Sequence, residues 1–327
     1  KKITDYIPIY EMKTMLPDKT THLRCPDVEL KNIDSYRQEK EVFKAELNDK
    51  SFNKVSEFCL LRLLKVPPTM QADANDARDM YGPLVEQEVS FLKKIQSDPD
   101  LQSVCAHVHK ITELSAGDTT WVVMELGVTL DVYLQNQDLS FPEKKTMAIE
   151  IINAAQTLYS KGYLHRDLKI SNFIMAEGRV KLIDFGDCGV LKGVFKTSIK
   201  ERDFAPRGTL SNLAPELIST PVNQGKGTFV YDEKTEIFSL GVVLYNLFVN
   251  PLMHPIDLSM KNGNFTNQSK LKKIYHNYLE KSGKWSVLNN SRIPNRQLFD
   301  LLQKMLAIDP SKRPGFSEVI STLKKMD

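Results

Sequence analysis

All 15 glycines of this chain lie at or after Gly82. A backbone that cradles phosphates needs glycine for close approach and unusual dihedrals, so a glycine-rich phosphate loop is excluded from everything before that point. Charge of one sign is also lacking. Forty-four basic and 41 acidic residues leave a net +3, which gives no electrostatic case for nucleic acid or a membrane surface as partner. No apolar run approaches the ~18 residues of a membrane-spanning helix, so no transmembrane segment is expected. The opening Lys1-Lys2-Ile3-Thr4 lacks the pattern of a signal peptide. The four cysteines, Cys25, Cys59, Cys105 and Cys188, show neither CxxC spacing nor neighbouring histidine pairs, so no metal site is expected from them. They suit a reduced cytosolic enzyme and would equally allow two disulfides in a secreted one.

What remains is globular. Hydrophobic residues make up 41% and charged residues 26% of 327, enough for two domains or one large bilobal unit. Residues 1–33 carry Pro8, Pro17 and Pro26 with little periodicity and read as an extension without its own core. Residues 34–48 are dense in helix formers, with Asp34 or Ser35 as cap and Tyr36, Lys40, Phe43 and Leu47 on one helical face, so a helix is expected there. A rival reading takes Val42-Phe43-Lys44-Ala45 as a strand. Phe58 to Val66, stopped by Pro67-Pro68, reads as a buried strand. Leu84 to Ile95 reads as an amphipathic helix and Trp121 to Glu125 as another strand. Beyond Gly127 the pattern turns largely helical. A long helix runs from Phe141 to a stop at Gly162, and a hairpin turns at Gly178. Helices are expected near 233–249, 268–282, 296–307 and 316–325.

The chemistry sits in three strings. The first is His165-Arg166-Asp167-Leu168-Lys169-Ile170-Ser171-Asn172. The second is Asp184-Phe185-Gly186, and the third is Arg207 to Glu216, ending Ala214-Pro215-Glu216. In order and spacing they resemble the protein-kinase signature set. The resemblance covers the chain from about residue 34 onward. It implies an α+β, bilobal protein-kinase fold with a degenerate small lobe over 34–125 and a mostly helical large lobe over 126–327.

The resemblance also implies roles. Asp167 would accept or orient the proton of a substrate hydroxyl, Lys169 would neutralise the transferring phosphoryl, and Asn172 and Asp184 would hold Mg²⁺. Thr209 would pack beside Asp167, as in Ser/Thr-specific members, and Glu216 would pair with Arg313. In the Ser239-Leu240-Gly241 region, Glu236 and Phe238 stand where the family has Asp and Trp. Met124 and Glu125 resemble the gatekeeper and first hinge positions, and Glu88 resembles the helix glutamate that pairs with the small-lobe lysine. At that lysine position the preferred alignment puts Arg62, with Leu60 crowding an adenine; a three-residue shift would offer Lys65 instead. Asn48 to Val55 echoes a glycine-rich loop only faintly.

Intact large-lobe strings without a glycine-rich loop look like the with-no-Gly-loop kinases of Toxoplasma and related parasites. In that branch a helical extension replaces the first strands, members are secreted into the vacuole around the parasite, and both active Ser/Thr kinases and a pseudokinase occur. The departures at Leu60 and Arg62 lean toward the pseudokinase: a secreted scaffold, in the vacuole or cyst wall, that binds a protein partner and little or no nucleotide. Secretion would also let some of the cysteines pair. The alternative is an active kinase using Mg²⁺ and ATP on a protein substrate, and a cytoplasmic location stays open.

Overall fold

The computed structural model describes residues 9–12, 22–26, 40–49, 54–113, 118–191, 195–196, 207–219, 228–251, 293 and 295–326. The chain divides into two units, Lys1–Gly127 and Val128–Asp327.

In the first unit, strands β1 (Ile9–Met12), β2 (His22–Pro26), β3 (Lys40–Asp49) and β4 (Lys54–Leu64) precede helix α1 (Ala74–Ser97). Helix α2 (Pro99–Val104) and strands β5 (Val108–Glu113) and β6 (Thr119–Glu125) follow. The strands form one antiparallel sheet in the order β1-β2-β3-β4-β6-β5. Helix α1 packs on β4 and β5, burying Val85, Glu88, Val89, Leu92 and Ile95. The helix expected over 84–95 lies inside it.

The helix expected over 34–48 is not formed across its described part. Residues 40–49 are β3, paired with β4 from Lys40↔Leu63 to Asp49↔Lys54. The rival strand reading holds, and the reason lies in β4. Leu60, Leu61, Leu63 and Leu64 are each at most 7% exposed, so β4 is buried on both faces. Its backbone N–H and C=O groups need partners on both edges. Strand β6 supplies one edge, and a helix could not supply the other. Tertiary pairing therefore overrides the helix propensity of the segment. The residues read as an extension contribute as well, since β1 and β2 continue the same sheet. Of the loop-like string 48–55, Asn48 and Asp49 end β3 and Lys54 and Val55 begin β4, paired with them; residues 50–53 lie outside the described residues. Cys59, on β4, is a free thiol.

The second unit opens with β7 (Val128–Thr129), α3 (Leu130–Asn136) and α4 (Phe141–Ser160). Ser140 and Glu143 close a capping box on α4, and the chain leaves its end through Gly162 at φ 85°. After β8 (Tyr163–Leu164) comes the hairpin of β9 (Phe173–Ala176) and β10 (Arg179–Leu182), turning through Glu177 and Gly178 at positive φ. Then follow β11 (Gly189–Val190), β12 (Phe195–Lys196), α5 (Pro215–Ser219), β13 (Thr228–Phe229) and α6 (Glu233–Phe248). Helices α7 (Arg296–Met305) and α8 (Phe316–Lys324) end the described chain. The core is α4 packed against α6, α8 and β10, with α7 on α6. The helix expected at 268–282 lies outside the described residues. No helix among the described residues is long and apolar enough to cross a membrane.

The β3–β4 hairpin can be tested directly. Glu46 and Glu57 are register partners. Opposed strand residues have Cα atoms within the ~4.4–6.8 Å that a disulfide spans. The double variant Glu46→Cys, Glu57→Cys is expected to cross-link on oxidation, seen as a mobility change on a non-reducing gel. A helix over 34–48 would leave the pair unlinked.

Candidate active site

The His165–Asn172 string begins at the end of β8 and runs into β9. Glu236, in the first turn of α6 and 3% exposed, holds its start. Its carboxylate accepts the backbone N–H of Arg166 at 2.7 Å and of His165 at 3.2 Å. The extra methylene relative to Asp thus leaves the acid in reach of the loop. His165 is fully buried. Its Nδ1 accepts from the Asp167 N–H at 3.3 Å, so Nε2 carries the proton and donates to the Ile183 carbonyl at 3.0 Å. Its ring meets that of Phe185 edge-on at 5.7 Å, joining the first string to the second.

Asp167 is 4% exposed, and three neighbours hold its carboxylate. Thr209 donates its backbone N–H to Oδ1 at 2.6 Å. Asn172 donates Nδ2 to the Asp167 carbonyl at 2.8 Å and to Oδ2 at 3.2 Å. Lys169 Nζ lies 3.1 Å from Oδ2 and also donates to the Thr209 hydroxyl at 3.0 Å. Because the Asp167 carbonyl can only accept, the Asn172 amide is fixed with nitrogen toward it, so its carbonyl oxygen is the atom that could serve a hard cation. Asp184 follows β10 at φ 65° and Arg166 sits at φ 68°. Left-handed backbone at non-glycine residues costs about 1–2 kcal/mol each and persists where the surroundings enforce it.

The third string packs onto the first. Gly208 has φ 101°, and a Cβ there would run into the Arg166 carbonyl, so only glycine fits. Asn212 donates to the Leu168 carbonyl at 3.1 Å, and Ser239 donates to the Asn212 carbonyl at 2.7 Å. Glu216 and Arg313 form a two-pronged ion pair at 2.6 and 2.8 Å, with the guanidinium 5.0 Å from the Phe238 ring centre. Phe238 thereby supplies an aromatic face where the family has Trp.

In the first unit the expected residues separate. Glu88 is 3% exposed on α1 and pairs with Lys40 of β3 at 2.6 Å. Arg62 lies 5.4 Å over the ring centre of Trp121, its register partner on β6. Lys65 pairs with Glu86 at 2.6 Å on the surface. Met124 is buried on β6, and Glu125 accepts the His107 N–H at 3.0 Å. Sequence reading missed Lys40 as the partner of Glu88. The strand reading of Val42–Ala45 was the one signal that would have brought it to β4. It also missed Asn212 as a support of the His165–Asn172 string.

The match to known proteins follows the same outline. The protein kinase domain family matches residues 70–323, well over half of the chain. This chain belongs to the protein kinase domain family. It is 27% identical over 237 residues to the dual specificity protein kinase Ttk of Danio rerio, covering 72% of this chain and 22% of that protein. It is 28% identical over 190 residues to serine/threonine-protein kinase 16 of Rattus norvegicus, covering 55% of this chain and 54% of that protein. With cds1, a serine/threonine-protein kinase of Schizosaccharomyces pombe, it shares 28% over 244 residues, 72% of this chain and 46% of that protein. The chain thus spans between about a fifth and about half of the length of these relatives. The matched region begins after β4, so β1 to β4 lie outside it.

Burial raises the Glu236 carboxyl above its ordinary 4.5, partly offset by His165 and the two backbone N–H groups. An acid whose folded pKa is raised keeps its proton longer when folded than when unfolded. Its contribution to stability is therefore largest below the ordinary value and declines as pH rises above it. Glu236→Gln keeps one acceptor and sets a donor against the second N–H. It is expected to cost about 1–3 kcal/mol in denaturant unfolding, with the gap to wild type shrinking as pH rises above 4.5. Glu236→Ala leaves both N–H groups unmet and is expected to cost more.

Proposed function

We propose that this chain is a Mg-ATP-dependent protein serine/threonine kinase. The observation that carries this reading is the Asp167 carboxylate, held by the Thr209 N–H, Asn172 and Lys169. Phosphoryl transfer asks little covalent chemistry of a protein; it asks for a positioned hydroxyl and for charge neutralisation. Asp167 orients the acceptor hydroxyl and takes its proton, while Lys169 offsets charge on the transferring group. Thr209 beside them fits a serine or threonine acceptor. Asn172, with its amide oxygen as ligand, and Asp184 fit a Mg²⁺ ion. The metal, when bound, supplies charge neutralisation at the phosphates. Two left-handed residues, Arg166 and Asp184, fall in these strings, and strain kept at such positions supports a working site over a relic.

A second reading, a pseudokinase scaffold for a protein partner, draws on the missing glycines before Gly82 and on Leu60 and Arg62. Fewer backbone amides over the phosphates leave fewer contacts to offset the entropy of binding. Secretion into a parasite's vacuole rests on the resemblance alone and is proposed with it.

The test is transfer of labelled phosphate from MgATP to a generic basic protein. We expect transfer that falls at least ~100-fold in Asp167→Ala, the low end for a lost general base. Saturating MgATP is expected to raise the melting temperature by several degrees, and Asp184→Ala to abolish that rise. No transfer together with no rise would leave the scaffold reading.

A further inference from the structure

The kinase small lobe places a lysine on the strand before the helix that carries the glutamate, where it serves both that glutamate and the nucleotide phosphates. Strand β4 occupies this place, and its cations are Lys54, Arg62 and, just past its end, Lys65. The side chains of a strand alternate between its two faces. Lys40 is the register partner of Leu63, so both lie on one face, which Leu61 and Cys59 share. Cys59 is in turn the partner of Met124 on β6. This face carries Glu88 of α1, since Lys40 reaches it at 2.6 Å with side chains only 12% and 5% exposed. The Lys40 charge also acts on the Cys59 thiol, opposing the burial that pushes its pKa to about 11. Arg62 lies one residue from Leu63 and so on the opposite face, against Trp121.

We propose that Lys40 of β3, and neither Arg62 nor Lys65, is the nucleotide-phosphate lysine of this kinase domain, held in position by Glu88. The cation comes from the neighbouring strand and meets the same glutamate. A lysine suits the place, because a compact ammonium can serve a carboxylate and a phosphate oxygen together, whereas a guanidinium needs room for its planar fork. Lys40 also stands at the entry to β3, so the chain that reaches it from β2 is the connection over 27–39, which has no glycine. The proposal rests on the kinase reading for its ligand, MgATP, but not on phosphate transfer.

The experiment is a MgATP titration of the full chain by melting temperature, in parallel with the transfer assay. Lys40→Met is expected to lose the nucleotide-induced rise and to lower transfer at least tenfold, whereas Lys40→Arg is expected to keep part of the rise. Because Lys40→Met leaves Glu88 without this cation, the double variant Lys40→Met, Glu88→Gln serves as a second measurement. It is expected to melt near wild type without nucleotide and still show no rise. A rise that survives both Lys40 variants, or one lost in Arg62→Met or Lys65→Met but kept in Lys40→Met, overturns the proposal. A wild type that binds MgATP through Lys40 yet transfers nothing would overturn the kinase activity and leave this assignment standing. A wild type with no nucleotide-induced rise overturns both.

Discussion

One buried carboxylate fixes the second unit. Glu236 enters at the start of α6, where Asp232 and Thr235 close a capping box that sets the first turn. From there its two oxygens hold the backbone N–H groups of His165 and Arg166. With both groups held, Arg166 stays in left-handed backbone and its carbonyl faces Gly208 closely enough to exclude any side chain there. That approach brings the Thr209 N–H to Asp167. A charge buried in this way is costly unless hydrogen bonds meet it, and here they come from the loop it positions. The loop geometry and the ionisation of one acid are therefore coupled.

The structural pair at the far end works differently. Arg313 is 2% exposed, yet it meets Glu216 with both guanidinium nitrogens and gives further hydrogen bonds to the carbonyls of Lys234, Ala307 and Ile308. Its charge is offset by one carboxylate and its donors by backbone, so nothing polar is stranded. This cluster ties α5 and α6 to the segment before α8.

The large-lobe site was legible because it is local. His165 to Asn172 is eight residues of continuous chain, and the hairpin that follows announces its turn with Gly178. Capping residues such as Ser140 and Glu143 act within one turn of the helix they start. The first unit was less legible because its order is set at a distance. Lys40 to Asp49 reads as helix by composition and becomes strand because β4 needs a second edge. The same register decides Arg62. A shift of one residue sends every side chain of a strand to the other face, and no local signal reports which face α1 will cover. Sequence alignment put Arg62 in the lysine's place; alternation puts it against Trp121.

The constraint on the small unit is then a matter of position and not of strand. Adjacent strands lie only ~4.8 Å apart, so a long flexible side chain can reach one carboxylate from either of two neighbouring strands. What matters is the face, which register fixes, and the depth along the strand. Lys40 satisfies both opposite Leu63, while Leu61 and Leu63 of β4 turn the rest of that face apolar and bury it to 7% and 0%. An apolar lining excludes water around the Lys40–Glu88 pair, which strengthens the attraction and makes either partner costly to lose alone. On this face β4 presents Leu61 and Leu63 as core, and the Glu88 carboxylate meets its cation from β3.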